Sequence, residues 1–179
     1  MTLTVHQQML AHMSDMRTAL GLRFMWFIHV TLKDNLPGIL LEGLQPKTDM
    51  AAPDEVVAAL GYGASSIICL TPLGTQRVCP PVKEGKKACL AFFRDDLPER
   101  LGLDWSFSYM TNFAEERSSP HRPIEDIFLE LVIQNGTFVS YDSIPPQHLR
   151  LFVNGVAPHD VEKWPMLSPQ SIEQAYTFP

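Results

Sequence analysis

The chain has 179 residues, of which 45% are hydrophobic and 19% are charged. This length and balance are typical of one globular domain with a sizeable core, and they exclude a disordered or low-complexity chain. The net charge is −6 and no basic run is longer than Lys86-Lys87, so the charge pattern does not indicate nucleic acid or an anionic membrane as a partner.

Neither a membrane-spanning segment nor a secretory leader is expected. No stretch approaches the roughly 18 consecutive apolar residues that a spanning helix needs, and residues 1–17 lack both a charged and an apolar leader region. The cysteines Cys69, Cys79 and Cys89 are odd in number and form no C-x-x-C pair, which favours reduced thiols over disulfides or metal ligation. We therefore predict a cytoplasmic protein that holds no metal.

The first elements in chain order are a helix, a strand and a second, shorter helix. An apolar stripe predicts a packing helix over residues 1–22 that ends near Gly21. The run FMWFIHVT, residues 24–31, has the aromatic and β-branched composition of a strand buried on both faces. Asp34-Asn35 as N-cap and Pro37 in the first turn then predict a short helix in DNLPGILLEGL.

The middle of the chain predicts one helix, two strands and a long loop. The helix covers residues 54–60 and ends at the cluster Gly61-Tyr62-Gly63, and the strands cover residues 67–71 and 88–93. Residues 105–123 have no sustained period. Since long loops inside compact domains are more often functional than idle, we interpret this segment as a lid or a target-recognition element.

The last part of the chain predicts a β-hairpin, a short strand and an irregular tail. IFLELVIQ and TFVSYDSI are joined by Asn135-Gly136, the dipeptide that best supports a type I′ turn. A turn and a short strand follow over residues 147–153. Residues 157–179 contain several prolines and are expected to be mostly irregular.

Two residues in the predicted strands are candidates for chemistry. Strand alternation leaves Glu130 between Phe128 and Val132 on one face, where a carboxylate must be paired or lie at a cleft, unless that face is exposed to solvent. His29 shares a face with Phe27 on the first strand. A single strand histidine is either a satisfied structural residue or a ligand contact, and the pattern alone leaves both open.

Taken in order, these segments resemble the ADP-ribosyltransferase-like superfamily. FIHVT followed by DNLPGILLEGL, residues 27–44, resembles its first strand with a histidine and the helix after it. ELVIQNGTFV, residues 130–139, is similar to the strand that begins with the catalytic glutamate, and IPPQHL, residues 144–149, resembles the closing segment of many members. The resemblance extends to DNA-targeting toxins, poly(ADP-ribose)-polymerase-like enzymes and tRNA 2′-phosphotransferases, and it covers residues 24–153.

The resemblance implies one α+β domain, a split β-sandwich with peripheral helices and an NAD cleft between two small sheets. In it, His29 would bond a ribose hydroxyl of the adenosine half, and the backbone of Val30, supported by Thr31, would hold the nicotinamide carboxamide. Glu130 would bond the 2′-hydroxyl of the nicotinamide ribose and stabilise the oxocarbenium-like transition state, as a fixed anion in a dry site can do.

Three positions depart from the pattern of the superfamily. Val30 stands where many relatives have glycine. The second strand has no tyrosine, which leaves Thr71 and Tyr62 as substitutes in the NAD site. Phe128 occupies the position at which arginine-modifying members carry Glu or Gln, so transfer to protein arginine is disfavoured.

The expected function is NAD-dependent transfer of ADP-ribose to a macromolecular acceptor by a toxin, effector or defence enzyme. The net charge of −6 favours a protein acceptor slightly over a nucleic acid, although a single-stranded nucleic acid could stack on Trp105, Phe107 and Tyr109. An inhibitor or antitoxin would be a further partner, and the acceptor loop would present those three residues together with Arg117 and Arg122.

Two alternatives stay open. One is a catalytically silent binding module of the same fold, in which Glu130 needs a basic partner such as Arg94, Arg117 or Arg122. The other is an RNA 2′-phosphotransferase-like enzyme, which ranks lower because few arginines precede His29.

Overall fold

The computed structural model describes residues 4–46, 67–75, 86–103, 108–119, 121–153 and 155–177. The helices in these ranges are α1 (Val5–Ala11), α2 (Met13–Arg23), α3 (Leu36–Glu42), α4 (Ser108–Arg117), α5 (Ile124–Asn135) and α6 (Pro169–Tyr176). The strands are β1 (Trp26–Leu32), β2 (Ile68–Pro72), β3 (Lys87–Phe93), β4 (Leu101–Gly102), β5 (Phe138–Ser140) and β6 (Arg150–Leu151). The helix predicted over residues 54–60 lies outside the described residues.

The strands form one sheet in the order β4-β5-β2-β1-β3-β6, and each neighbouring pair is antiparallel. An antiparallel sheet with several helices agrees with the predicted α+β class. The predictions for β1, β2 and β3 are confirmed within two residues at each end, as is the short helix α3. Within β1, Phe27 and Ile28 are buried on opposite faces, whereas Val30 and Leu32 are 40% and 51% exposed, so the predicted burial on both faces holds only for the first half of the strand.

Alternation along β1 sends its side chains into two separate cores. Phe27 stacks on Phe92 at a centroid distance of 5.7 Å and meets the edge of Phe138 at 5.5 Å, in the larger core beneath the helices. Ile28 points to the opposite face and joins the smaller core that contains Trp164. Consequently His29, two residues after Phe27, lies on the face of the larger core.

The amino-terminal stripe is buried as predicted, but two helices carry it. Val5, Met9, Met16 and Leu20 are all buried in the larger core. The helix breaks at His12, where φ is −119° and ψ is 30°, and α2 continues through Gly21 to Arg23. The predicted single helix with a stop at Gly21 is therefore wrong in its boundaries.

The predicted hairpin is wrong in its first half. Residues 124–135 form helix α5, and Gly136 ends that helix with φ 74° while its amide donates to the Val132 carbonyl at 2.7 Å. Only the second half is a strand, β5. The physical reason is visible in the sequence, because the buried residues of α5 follow the helical spacing i, i+3, i+4, i+7 and i+8: Ile124, Ile127, Phe128, Leu131 and Val132.

The segments predicted to be irregular also contain helices. Within residues 105–123, α4 buries Met110 and Ala114, which are one helical turn apart, so the interpretation of this segment as one long loop is wrong. In the tail, Ser168 caps α6 by accepting a hydrogen bond from the Ser171 amide, and Pro169 follows as the first helical residue.

Gly43 fixes the direction in which the chain leaves α3. Its φ is +79°, a left-handed value that favours glycine, and a Cβ atom at this position would collide with the Ile144 carbonyl oxygen. Leu44 and Ile144 exchange backbone hydrogen bonds of 2.9 and 3.0 Å across this contact. The bridge ties α3 to the chain segment between β5 and β6.

We predict that Gly43→Ala lowers the free energy of unfolding by about 2 kcal/mol or more, because positive φ and a backbone collision act together. The matched control is Gly74→Ala, since Gly74 has φ +102° but a Cβ atom there would meet no described atom within 4 Å. That control should lose only about 1 kcal/mol. Urea denaturation of both variants tests this, and equal losses would contradict the role of the Ile144 contact.

Candidate functional site

A cavity of about 590 Å³ lies where β1 and β2 separate. The two strands pair at Phe27 with Pro72 and at Ile28 with Thr71, and the paired register ends there. Beyond that point, residues 68–70 of β2 have no register with β1, and they pair with β5 on the opposite edge of β2. The gap that opens is bounded by residues 29–32 of β1, by residues 67–69 and by α3 with the turn that follows it.

His29 bridges this gap with its side chain. Its Nδ1 lies 2.9 Å from the Cys69 carbonyl oxygen, and because a carbonyl only accepts, Nδ1 carries the proton in this contact. Burial lowers the pKa of His29 below its ordinary value of 6.5, and the hydrogen bond to Cys69 opposes this effect only in part. At neutral pH the ring is therefore uncharged, and Nε2 holds a lone pair that is able to accept a hydrogen bond.

The walls of the cavity combine apolar and polar groups. Ile39, Leu44 and Ile68 are buried side chains in its lining. Asp34 and Glu42 line it from the α3 side and are exposed, whereas Lys87 is the cationic side chain among its described lining residues. An apolar wall with a few polar groups at the edge is typical of a site for a small organic ligand.

The structure brings together three of the residues that the resemblance assigns to NAD. His29, Val30 and Thr31 all line the cavity. Thr31 is further fixed by Asn35, whose Nδ2 donates to its Oγ1 at 3.0 Å. Thr71 is not among the described lining residues, because it pairs with Ile28 and therefore faces the smaller core.

Glu130 lies on helix α5 rather than on a strand, which corrects its predicted position. Its carboxylate accepts a hydrogen bond from Arg117 Nε at 2.8 Å and another from Arg122 Nη2. Arg122 and then Arg117 hold the pKa of Glu130 below its ordinary value of 4.5. Glu130 is not among the described residues that line the His29 cavity.

In the silent binding module, Glu130 was expected to have a basic partner, and two of the three expected arginines provide one. Arg117 and Arg122 both pair with Glu130, while Arg94 donates instead to the Gly21 carbonyl at 3.3 Å. Arg117 also donates to Gln134 at 3.0 Å, which joins α4 to α5. Arg117 and Arg122, which were predicted to contact the acceptor, therefore form ion pairs with Glu130 of the same domain.

The structure does not describe the side chains of four other predicted site residues. Tyr62, Trp105 and Phe107 lie outside the described residues, and Tyr109 belongs to α4 with a side chain that is not described. Sequence reasoning missed the α3 side of the cavity, namely Asp34, Gly38 and Glu42. The available signal was the helical spacing of four residues that repeats from Asp34 through Gly38 to Glu42.

The described residues contain no group of three or more His, Cys, Asp and Glu side chains that would hold a metal ion. Nor does any helix in those ranges have the length and apolarity required to cross a membrane. No protein-family model, curated protein or solved structure matches this chain.

We predict that Glu130→Gln lowers the free energy of unfolding at neutral pH by no more than about 1 kcal/mol, since the side chain is 42% exposed and water screens the pair. The folded-state pKa is lowered, so the stabilisation is complete above about pH 4.5 and is lost as the pH falls through that lowered pKa. Urea denaturation of both proteins at falling pH should therefore show their stabilities converging.

A double-mutant cycle with Arg122→Gln is the control for this prediction. The interaction energy should be below about 1 kcal/mol, as is usual for exposed ion pairs. If Glu130→Gln lowers the free energy of unfolding by more than about 3 kcal/mol, the assignment of Glu130 to an exposed ion pair is contradicted. A loss of that size would indicate that a buried arginine had been left without its partner.

Proposed function

We propose that this chain is an ADP-ribosyltransferase-like domain that binds NAD or a related nucleotide in the His29 cavity. The observation that carries the proposal is that His29, Val30 and Thr31, three consecutive residues that the resemblance assigns to NAD, line one cavity. The cavity volume of about 590 Å³ falls in the range of small-molecule sites. The proposed occupant therefore agrees with both the motif and the available space.

The finer architecture, a split β-sandwich, belongs to the same proposal. β1 pairs with β3 along seven residues but with β2 at only two. Strands that pair over so short a length divide the sheet into a β2-β5-β4 part and a β1-β3-β6 part. This division supports a ligand cleft between two small sheets.

The role proposed for His29 follows from its hydrogen bonding. Because Nδ1 donates to the Cys69 carbonyl, the ring is held in one orientation and Nε2 is left as an acceptor. A ribose hydroxyl is a donor that matches it. Binding by an uncharged acceptor does not require a proton transfer, so this contact serves recognition rather than acid–base chemistry.

Within this proposal, binding without transfer is favoured over transfer that depends on Glu130. Stabilising a cation at the anomeric carbon requires an anion fixed beside the reacting bond. Glu130 is instead bonded to Arg117 and Arg122 on the helical layer. The silent binding module is therefore the form of the proposal that the described residues support best.

A transferase is the second candidate function, and it is favoured by one specific observation. Asp34 and Glu42 are carboxylates that line the same cavity as His29. Neither has an ion-pair partner among the described residues, so either carboxylate has its charge available to a ligand. An RNA 2′-phosphotransferase is less favoured, since Lys87 is the cation in the described lining and a phosphorylated RNA end needs several.

Isothermal titration with NAD and with ADP-ribose tests the binding proposal. His29→Asn keeps a side-chain donor toward the Cys69 carbonyl but removes Nε2, so affinity should fall about tenfold or more. Thr71→Val is the matched control on the neighbouring strand and should bind as the unmodified protein does, because Thr71 faces the smaller core.

The pH dependence of binding is a second arm of the same titration. Because the pKa of His29 is lowered from 6.5, affinity should be constant from about pH 8 to about pH 6.5 and should fall only below that range, as Nε2 gains a proton. Absence of binding to both nucleotides, or equal losses in His29→Asn and Thr71→Val, would contradict the proposal.

Incubation with labelled NAD and cell lysate separates binding from transfer. The silent module predicts no labelled macromolecule with the unmodified chain. If label is transferred, Glu42→Gln or Asp34→Asn should reduce turnover by about 10²-fold, and Glu130→Gln should leave it unchanged. Loss of transfer in Glu130→Gln alone would contradict the placement of the site.

A further inference from the structure

The side chain of Tyr176 bonds to the segment that joins two walls of the His29 cavity. This segment is the 3₁₀ turn Lys33–Asn35, which lies between the end of β1 and the start of α3. Tyr176, at the end of α6, donates from its hydroxyl to the Lys33 carbonyl at 2.7 Å. The two residues are 143 positions apart in the sequence, so this bond joins distant parts of the chain.

The backbone of Lys33 is held from three directions. Its amide donates to the Lys86 carbonyl at 2.9 Å, and its carbonyl accepts from the Leu36 amide as well as from Tyr176. A carbonyl oxygen has two lone pairs, which permits both of these donors at once. Because Lys33 is buried, its position is set by such protein partners rather than by solvent.

The residues around Lys33 form part of the cavity. Leu32 and Asp34, which flank Lys33 in the chain, both line the cavity, and so does Asn35. A displacement of the Lys33 backbone therefore moves lining residues on both sides of it. Tyr176 is not among the described lining residues, so it acts on the cavity from outside.

Helix α6, which carries Tyr176, is itself fixed to the core. Ile172 and Ala175 are buried in the same core as Leu36 of α3. At the other end of α6, the Ser171 amide donates to Ser168 Oγ at 3.1 Å and caps the helix. The Tyr176 hydroxyl thus connects a well-packed helix to the turn that begins the α3 wall.

We propose that Tyr176 is a positioning residue for the His29 cavity, which fixes the turn before α3 and so sets ligand affinity without contacting the ligand. This inference rests on the proposed function, and it adds control of the cavity by α6. If the Tyr176 bond strengthens ligand binding by a given factor, the ligand strengthens the contact of α6 with the turn by the same factor.

Isothermal titration of Tyr176→Phe with ADP-ribose is the first test. Phenylalanine keeps the ring and removes only the hydroxyl, so the melting temperature should stay within about 4 °C of that of the unmodified chain. Affinity should fall about fivefold, the factor that corresponds to one lost hydrogen bond.

Thr177→Val is the matched control in the same part of the chain. Thr177 Oγ1 donates to the Gln174 carbonyl at 2.8 Å, so this variant also loses one hydroxyl hydrogen bond at the end of α6, but none to the turn before α3. Its affinity for ADP-ribose should equal that of the unmodified chain.

Hydrogen exchange separates positioning from a general loss of stability. Without ligand, Tyr176→Phe should speed amide exchange in residues 33–42 by about threefold or more and leave the rates in α5 unchanged. In the unmodified chain, ADP-ribose should slow exchange at the end of α6, and Tyr176→Phe should abolish this slowing. A merely structural role predicts no such response of α6 to the ligand.

The outcomes distinguish this inference from the proposed function. If the unmodified chain binds ADP-ribose and His29→Asn weakens binding while Tyr176→Phe binds normally, the inference is overturned and the proposed function stands. The same holds if Tyr176→Phe and Thr177→Val lose equal affinity, or if exchange quickens throughout the chain. If the unmodified chain binds neither NAD nor ADP-ribose, both are overturned. Weaker binding in Tyr176→Phe alone, with α6 slowed by the ligand, supports both.

Discussion

The separation of β1 from β2 after Ile28 is the constraint on which the cavity depends. A continued antiparallel ladder would hold the strands about 4.8 Å apart and leave no space between them. β2 pairs with β5 over residues 68–70 on its opposite edge, while β1 stays paired with β3 along its whole length. His29 then crosses the gap with a side-chain bond to the Cys69 carbonyl, and the bridge between Leu44 and Ile144 keeps α3 in place on the cavity's other side.

The sequence predicts the central strands well because their signal is local. β1, β2 and β3 are apolar runs that need no knowledge of their neighbours to be recognised, and α3 has a proline in its first turn. Residues 124–135 are different, since their apolar residues satisfy both alternation and helical spacing. Packing against α1, α2 and α4 decides the outcome, and those contacts come from distant parts of the chain.

The candidate site is predictable on one side only. The FIHVT motif identifies His29 and its two successors, and all three line the cavity. The other side depends on how Gly43 turns the chain after α3, which spacing alone does not reveal. The environment predicted for Glu130 is wrong because residues 124–135 form a helix rather than a strand. On a strand the Glu130 carboxylate lacks a partner, whereas on helix α5 it bonds to Arg117 and Arg122. Whether a charged residue looks unpaired in a sequence therefore depends on the secondary structure predicted for it, and not on function alone.

A crystal structure of the chain with ADP-ribose tests the central claim most directly, namely that the gap between β1 and β2 is the ligand site. The account predicts a ribose hydroxyl at about 2.7–3.2 Å from His29 Nε2, while Nδ1 keeps its contact with the Cys69 carbonyl. Glu130 should remain bonded to Arg117 and Arg122 without touching the ligand. A ligand bound against Glu130, or a filled site elsewhere with the His29 cavity unchanged, would contradict the account.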